Sequence, residues 1–224
     1  MSGATSGTAS GRAIIIATRS RDKLRELRPI FAAAGIDVLD LEAAGLPEDP
    51  VVEAALERYD TFEENALAKA RHFFERSGGE RPVVADDSGL EVFALGGQPG
   101  VHSKRWSARP GLSGVALDAS NNEKLLGELA RVESAGVHTD DARRGRYVCV
   151  AAYVDHGRER IFRGECEGHI LRAPRGSGGF GYDPLFELEG TNYTFAEMDR
   201  AAKERVSHRG RAFAQLVKAL REWS

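Results

Sequence analysis

Short apolar runs alternate with amphipathic stretches through the first third of the chain. Ala13-Ile14-Ile15-Ile16-Ala17 is continuous and β-branched, which predicts a buried strand. The polar stretch Thr18-Arg19-Ser20-Arg21-Asp22 interrupts it. Leu24, Leu27, Phe31 and Ala34 then recur on one helical face, which Gly35 closes. Pro29 falls inside that face and predicts a kink or the loss of the first turn. Val38-Leu39-Asp40-Leu41 reads as a second strand. Thr61-Phe62-Glu63-Glu64 has capping-box spacing, and Phe62, Ala66, Ala70, Phe73 and Phe74 follow at helical intervals up to Gly78-Gly79. Pro82-Val83-Val84-Ala85 predicts a third strand that ends at Asp86-Asp87-Ser88-Gly89.

The Gly- and Pro-rich residues 91–116 read as an ordered loop and Asn121 to Arg131 as a helix. From Arg146 the pattern turns extended, with a hairpin expected about Gly157. A Gly-rich loop at 176–181 precedes a strand at Leu185-Phe186. The last helix carries Phe213, Leu216, Val217, Leu220 and Trp223 on one stripe. Strands alternating with helices early and pairing as a hairpin late predict a mixed α/β fold of two lobes with a cleft between them. Residues 1–12 are small and polar and read as a flexible tail, with a single domain expected over 13–224.

Composition narrows the partners. The net charge of -3 offers no field for a nucleic-acid backbone, so any phosphate must meet a local cluster of Lys and Arg, as a small ligand would. No apolar run approaches membrane-spanning length, which leads us to expect a cytoplasmic protein. Cys149 and Cys166 lie in apolar or alternating runs and are expected to be reduced interior thiols.

Four segments carry candidate chemistry. Thr18 to Lys23 lies between a strand and a helix, where free amides, two hydroxyls and an ammonium suit an anion; a solvated turn explains it as well. Asp86 and Asp87 follow a buried strand. Adjacent carboxylates there need a cation, and Mg²⁺ takes one or two such ligands; an Asx-type turn is the other reading. Gly176 to Asp183 formally contains G-x-G-x-x-G, but Pro184 forbids the helix that a dinucleotide fingerprint opens. The loop either presents Phe180 and Tyr182 to a flat base or buries them as core. In Lys203 to Arg211, Ser207 is placed to cap the last helix, leaving His208 and Arg209 in its first turn. Arg143-Arg144-Gly145-Arg146 reads as a solvated turn.

In this order the segments resemble one family. The resemblance rests on Thr18-x-x-x-x-Lys23, Thr61 to Ala70, Ala85 to Val92, Leu95 to Val101, Gly178 to Phe186, Thr194 to Met198, and Lys203 to Gly210. It spans about Ile14 to Leu220 and is to the inosine triphosphate pyrophosphatases, also called dITP/XTP pyrophosphatases. It implies a homodimeric Mg²⁺-dependent hydrolase, two-lobed about a long central sheet, that cleaves ITP, dITP and XTP to the monophosphate and pyrophosphate.

By the same resemblance Asp87 is general base and metal ligand. Glu57 is the other metal carboxylate, with Glu53 a neighbouring candidate. On the chemistry of the pair, Asp86 is expected to share the metal or support it from behind. Thr18, Arg19, Ser20, Arg21, Asp22 and Lys23 grip phosphate together with Lys69, and Lys23 and Lys69 stabilise the leaving pyrophosphate. Ser88 contacts substrate, and Phe180, Gly181, Tyr182, Asp183, Lys203, His208 and Arg209 face the nucleoside. Arg19-Ser20 stands where the family usually has Gly-Asn, and no glycine follows Glu57 as it usually would. Two rival functions remain at this point: a pyrophosphatase for another class of altered nucleotide, and a non-catalytic nucleotide-binding module.

Overall fold

The computed structural model describes residues 13–136 and 140–223, so the expected tail over 1–12 lies outside the described residues. Six strands form one sheet: β1 (Ile14–Ile16), β2 (Val38–Asp40), β3 (Val83–Val92), β4 (Arg144–Val154), β5 (Glu159–Ile170) and β6 (Phe186–Leu188). Their order is β2-β1-β3-β4-β5-β6, parallel among the first three and antiparallel from β3 onward. The helices are α1 (Arg21–Ala33), α2 (Pro50–Ala55), α3 (Phe62–Arg76), α4 (Gly114–Ser134), α5 (Arg200–Val206) and α6 (His208–Trp223). The mixed α/β class expected from the alternation is the one observed. Among the described residues no helix is long and apolar enough to cross a membrane.

Local signals in the sequence explain several boundaries. Ser20 caps α1, its hydroxyl accepting from the Lys23 amide at 3.3 Å, and Gly35 leaves the helix at φ 70°. α1 runs through Pro29 without splitting, held on either side by Leu27 and Phe31, both fully buried. Thr61 caps α3 by accepting from the Glu64 amide at 3.2 Å, while the Glu64 carboxylate accepts from the Thr61 hydroxyl at 2.7 Å.

Three expectations are corrected. β3 does not end at Ala85; it continues through Asp86-Asp87-Ser88-Gly89 because β4 pairs with it along its whole length, from Val83↔Val154 to Val92↔Gly145. α4 begins at Gly114, seven residues before its expected start at Asn121, since buried Ser120 and Asn121 disguise its inward face as polar. Ser207 caps the last helix as expected, its hydroxyl accepting from the Gly210 amide at 3.1 Å, while the short α5 before it was not anticipated. Arg144 and Arg146 are not in a turn but open β4, Arg144 bonded to Glu167 on β5 and Arg146 to Glu165 on β5 and Glu91 on β3.

Alternation along β3 then sets the layers. Val83 and Ala85 join the core under α3, with Phe62, Ala66, Ala70 and Phe73. Val84 joins the opposite core under α1 and α6, with Leu27, Phe31, Phe213 and Leu216. Farther along the same strand Leu90 and Val92 enter a third cluster with Leu125, Leu129, Tyr147, Phe186 and Phe195. Between Val84 and Leu90 that face carries Asp86 and Ser88, a polar interval between two apolar cores.

Candidate active site

The cleft opens at the edge of β3 beside that interval. It is a cavity of about 260 Å³. Its walls come from the β1–α1 loop, Glu57, β3, the 3-10 turn Gly100–Arg105, α4, Tyr147 of β4, the 180–183 loop and the α5–α6 break. β1 pairs with β3 only as far as Ile16↔Val84, so Asp86 and Asp87 extend past its end to face the loop that gathers phosphate-type donors. Ser20, Arg21, Asp22 and Lys23 reach the cleft from this loop and the first turn of α1, where free amides gather.

Asp86 and Asp87 do not act as a pair. Neighbouring residues on a strand project to opposite faces, and each acid has its own cations. Asp87 lines the cleft; its carboxylate accepts from Lys69 Nζ at 2.9 Å and from Asn65 Nδ2 at 3.2 Å. Burial raises its pKa above the ordinary carboxylate value, against the pull of Lys69 and Lys23. Asp86 is buried behind the wall and outside the cleft lining, with Lys23 Nζ at 2.9 Å and Arg209 Nε at 3.3 Å from Oδ2. Burial opposes its charge, but Lys23 and Arg209 outweigh burial and hold it well below the usual range. Of the two places expected for Asp86, this arrangement fits support from behind: it is a buried counter-ion that orders two cations of the site.

Lys69 is likewise held by acids. It was expected on phosphate, yet its ammonium is buried between Asp87 and Glu57, 3.2 Å from the latter. Burial disfavours its charge, but Asp87 and Glu57 carry its pKa above the ordinary lysine value. Glu57 also accepts from Arg105 Nη1 at 2.7 Å, and its backbone carbonyl accepts from Arg105 Nη2 at 2.8 Å. Burial would raise the Glu57 pKa; Lys69 and Arg105 overcome it and lower it to about 2. Glu57 and Asp87 thus meet at one cation in the cleft wall, whereas Glu53 is engaged elsewhere, with Arg19 at 2.8 Å.

That pKa has a measurable consequence. The unfolded chain binds the Glu57 proton near 4.5 and the folded chain only near 2, so its stabilisation is complete above pH 4.5 and is lost as pH falls toward 2. Thermal melts across that window should show a shallower acid slope for Glu57→Gln than for the wild type. Parallel slopes would mean that Lys69 and Arg105 do not hold Glu57 ionised.

The other half of the cleft is aromatic and cationic. His208 stacks on Tyr147 with centroids 4.5 Å apart and planes at 7°. Burial, then the charges of Arg209 and Lys203, push its pKa well below the ordinary value, so the imidazole is neutral. Lys203 donates to Asp183 at 2.6 Å, pairs with Glu26 at 2.8 Å, and lies 5.0 Å from the Phe180 ring centroid. Arg209 bonds Glu26 and Ser88, the latter at 2.8 Å. Gly181 stands at φ 64° between two residues of α4, its amide donating to Asp118 at 2.8 Å and its carbonyl accepting from Asn122 at 3.0 Å. Tyr182 is buried, with its hydroxyl donating to the Ser103 carbonyl at 2.8 Å, so it is Phe180 that remains to meet a flat ligand.

Thr18 and Arg19 do not line the cleft. They border a larger open basin of about 1150 Å³ that shares only Arg21 with it. Thr18 accepts from the Ser20 amide at 3.2 Å and shapes the loop from behind.

A sequence model of the Ham1 family matches residues 14–219. The chain belongs to the Ham1 family. Among Ham1 relatives, a dITP/XTP pyrophosphatase of Mycobacterium tuberculosis is 47% identical over 212 residues, covering 93% of this chain and 95% of that protein. The solved HAM1 protein of Coxiella burnetii superposes with a TM-score of 0.78 at 33% identity, covering 94% of this chain and 99% of that one. A nucleoside-triphosphatase, dITP/XTP pyrophosphatase structure from Mycobacterium abscessus matches at 39% identity with a TM-score of 0.67, covering 91% and 98% respectively.

Several contacts of this Ham1 chain escaped the sequence reading. Glu26 lies three residues after Lys23 on α1, a spacing that could have placed it beside the loop. Asn65 is one turn before Lys69 and was detectable in the same way. Arg105, Asn121 and Tyr147 reach the site only through tertiary folding and carry no local signal.

Proposed function

We propose that this chain hydrolyses deaminated purine nucleoside triphosphates, ITP, dITP and XTP, to the monophosphate and pyrophosphate in a Mg²⁺-dependent reaction. One observation carries the reading: a carboxylate pair and a donor-rich loop share a single cleft with a stacked His208–Tyr147 pair and Phe180. The relatives' names support it.

The donor set suits magnesium. Glu57 and Asp87 are hard oxygen ligands already gathered about one cation. Among the described residues no cluster of three or more His, Cys, Asp or Glu could hold a metal alone. Two carboxylates completed by phosphate and water is how Mg²⁺ is usually held. When bound, it would supply a Lewis acid that neutralises and orients the triphosphate.

The remaining chemistry belongs to the chain. Asp87, its pKa raised by burial, takes a proton from the water whose oxygen attacks the α-phosphorus. The bond from that phosphorus to the bridging oxygen breaks, and the electron pair leaves with pyrophosphate. Ser20, Arg21 and Lys23, with the amides of the α1 N-terminus, stabilise charge there.

Base choice follows from donors. Lys203, His208 and Arg209 bring N–H groups that satisfy a 6-keto oxygen, whereas the amino group of adenine leaves them unpaired. The expected result is rapid pyrophosphate release from ITP and XTP, with ATP slower by at least about 10²-fold. Equal turnover of ATP would overturn the reading, and preference for an altered pyrimidine would favour the other class of nucleotide. The proposal includes a homodimer on the strength of the sequence resemblance, which sedimentation would measure directly.

A further inference from the structure

Arg19 follows Thr18 directly, yet its side chain leaves the cleft. Its Nη2 and Nε hold the two Glu53 oxygens at 2.8 and 3.1 Å, and Nη2 also donates to the Leu46 and Pro47 carbonyls, each at 3.0 Å. The guanidinium lies 5.8 Å from the Phe73 ring centroid on α3. From the same helix Arg76 donates to the Pro47 carbonyl at 2.7 Å and stands 3.7 Å from Glu53.

The element being held is α2, six residues long with none buried. Val51 is 82% exposed. A helix this short has no stability of its own in water. Leu56, just beyond its end, packs partly on the α3 core, and Glu57 follows at once. The position of α2 therefore rests on the polar clamp around Glu53. The backbone that leads into Glu57 is set by an arginine from the phosphate-side loop.

We infer that Arg19 is a positioning residue: by tying the loop after β1 to Glu53, it sets α2 and holds Glu57 in register with Asp87. This rests on the reading of Glu57 and Asp87 as metal carboxylates. Lys69 and Arg105 grip Glu57 directly, so loss of Arg19 loosens the site and does not dismantle it.

The test measures Mn²⁺ binding to metal-free protein from the electron paramagnetic resonance of the free ion, with hydrogen exchange of residues 50–57 on the same samples. Arg19→Ala and Glu53→Gln should each weaken Mn²⁺ about tenfold, as loss of a group orienting a metal ligand does. Both should speed exchange across 50–57, and the double variant should add little. Arg19→Lys should restore only part, because one ammonium cannot span both Glu53 oxygens and two carbonyls.

Unchanged Mn²⁺ affinity in folded Arg19→Ala overturns the inference, even if its melting temperature falls. Glu57→Gln separates the two readings. If it binds Mn²⁺ like wild type, the metal assignment fails and the tether's purpose with it. If it loses Mn²⁺ while Arg19→Ala keeps it, the tether alone fails.

Discussion

Asp87→Asn should lower kcat by about 10³-fold while leaving the protein folded, a loss in the range that removal of a general base produces. The amide keeps the shape of the carboxylate but cannot take the proton of the attacking water. It also cannot answer the Lys69 ammonium with charge, and that ammonium is buried. Breaking a buried ion pair costs about 3–5 kcal/mol, and the low end, about 3 kcal/mol, applies because Glu57 still holds Lys69. Activity and stability should therefore fall together, though by separate causes. The pH profile distinguishes them. Burial places the Asp87 pKa above the ordinary carboxylate value, so wild-type activity should fall as pH drops through that raised value. Residual activity of the variant should lose that acid limb. A variant with wild-type kcat, or one retaining the limb, would remove Asp87 from the role of base.

Gly210→Ala should be the most damaging added methyl group among the described glycines. A Cβ there would sit 1.7 Å from the Glu204 carbonyl oxygen and 3.3 Å from Ser207 Oγ. The nearer neighbour is backbone, so nothing flexible can yield, and α5 and α6 must part. Forced overpacking costs about 3 kcal/mol at the upper end of its common range, a large fraction of the roughly 5–15 kcal/mol that stabilises a domain. The same separation moves Lys203 on α5 away from His208 and Arg209 on α6, so KM for ITP should rise more than kcat falls. Gly127→Ala is the matched control. It lies in α4 with open space about it, and alanine is the better helix former by about 0.5–1 kcal/mol. Calorimetry should show Gly210→Ala melting well below wild type and Gly127→Ala at or slightly above it. A Gly210→Ala protein as stable as the control would mean that the α5–α6 contact is looser than described.

These effects divide according to what the sequence could disclose. α1 and α3 were legible because their caps, Ser20 and Thr61, and their apolar faces are local. Asp86-Asp87-Ser88-Gly89 was misread as the end of a strand for a physical reason: polarity inside a sheet normally marks a loop, and the pairing that keeps this segment extended comes from β4, whose Val148, Val150 and Ala151 lie far along the chain. The same gap hid the division of labour between the two acids, since only a continuous strand sends them to opposite faces. α2 was missed because it buries nothing and so shows no period. The basic residues were found more readily than their duties. Lys23, Lys203 and Arg209 do face the cleft, and Lys69 and Arg19, read as phosphate ligands, stand against carboxylates. Positive charge is visible in a sequence; the acid that claims it is fixed by folding.

The Lys69 arrangement means that the carboxylates at the heart of the cleft never face each other bare. Proteins that rely on an added ion to quench clustered acids tend to come apart when a chelator strips it. Here the quenching charge is covalently part of the chain and travels with the fold.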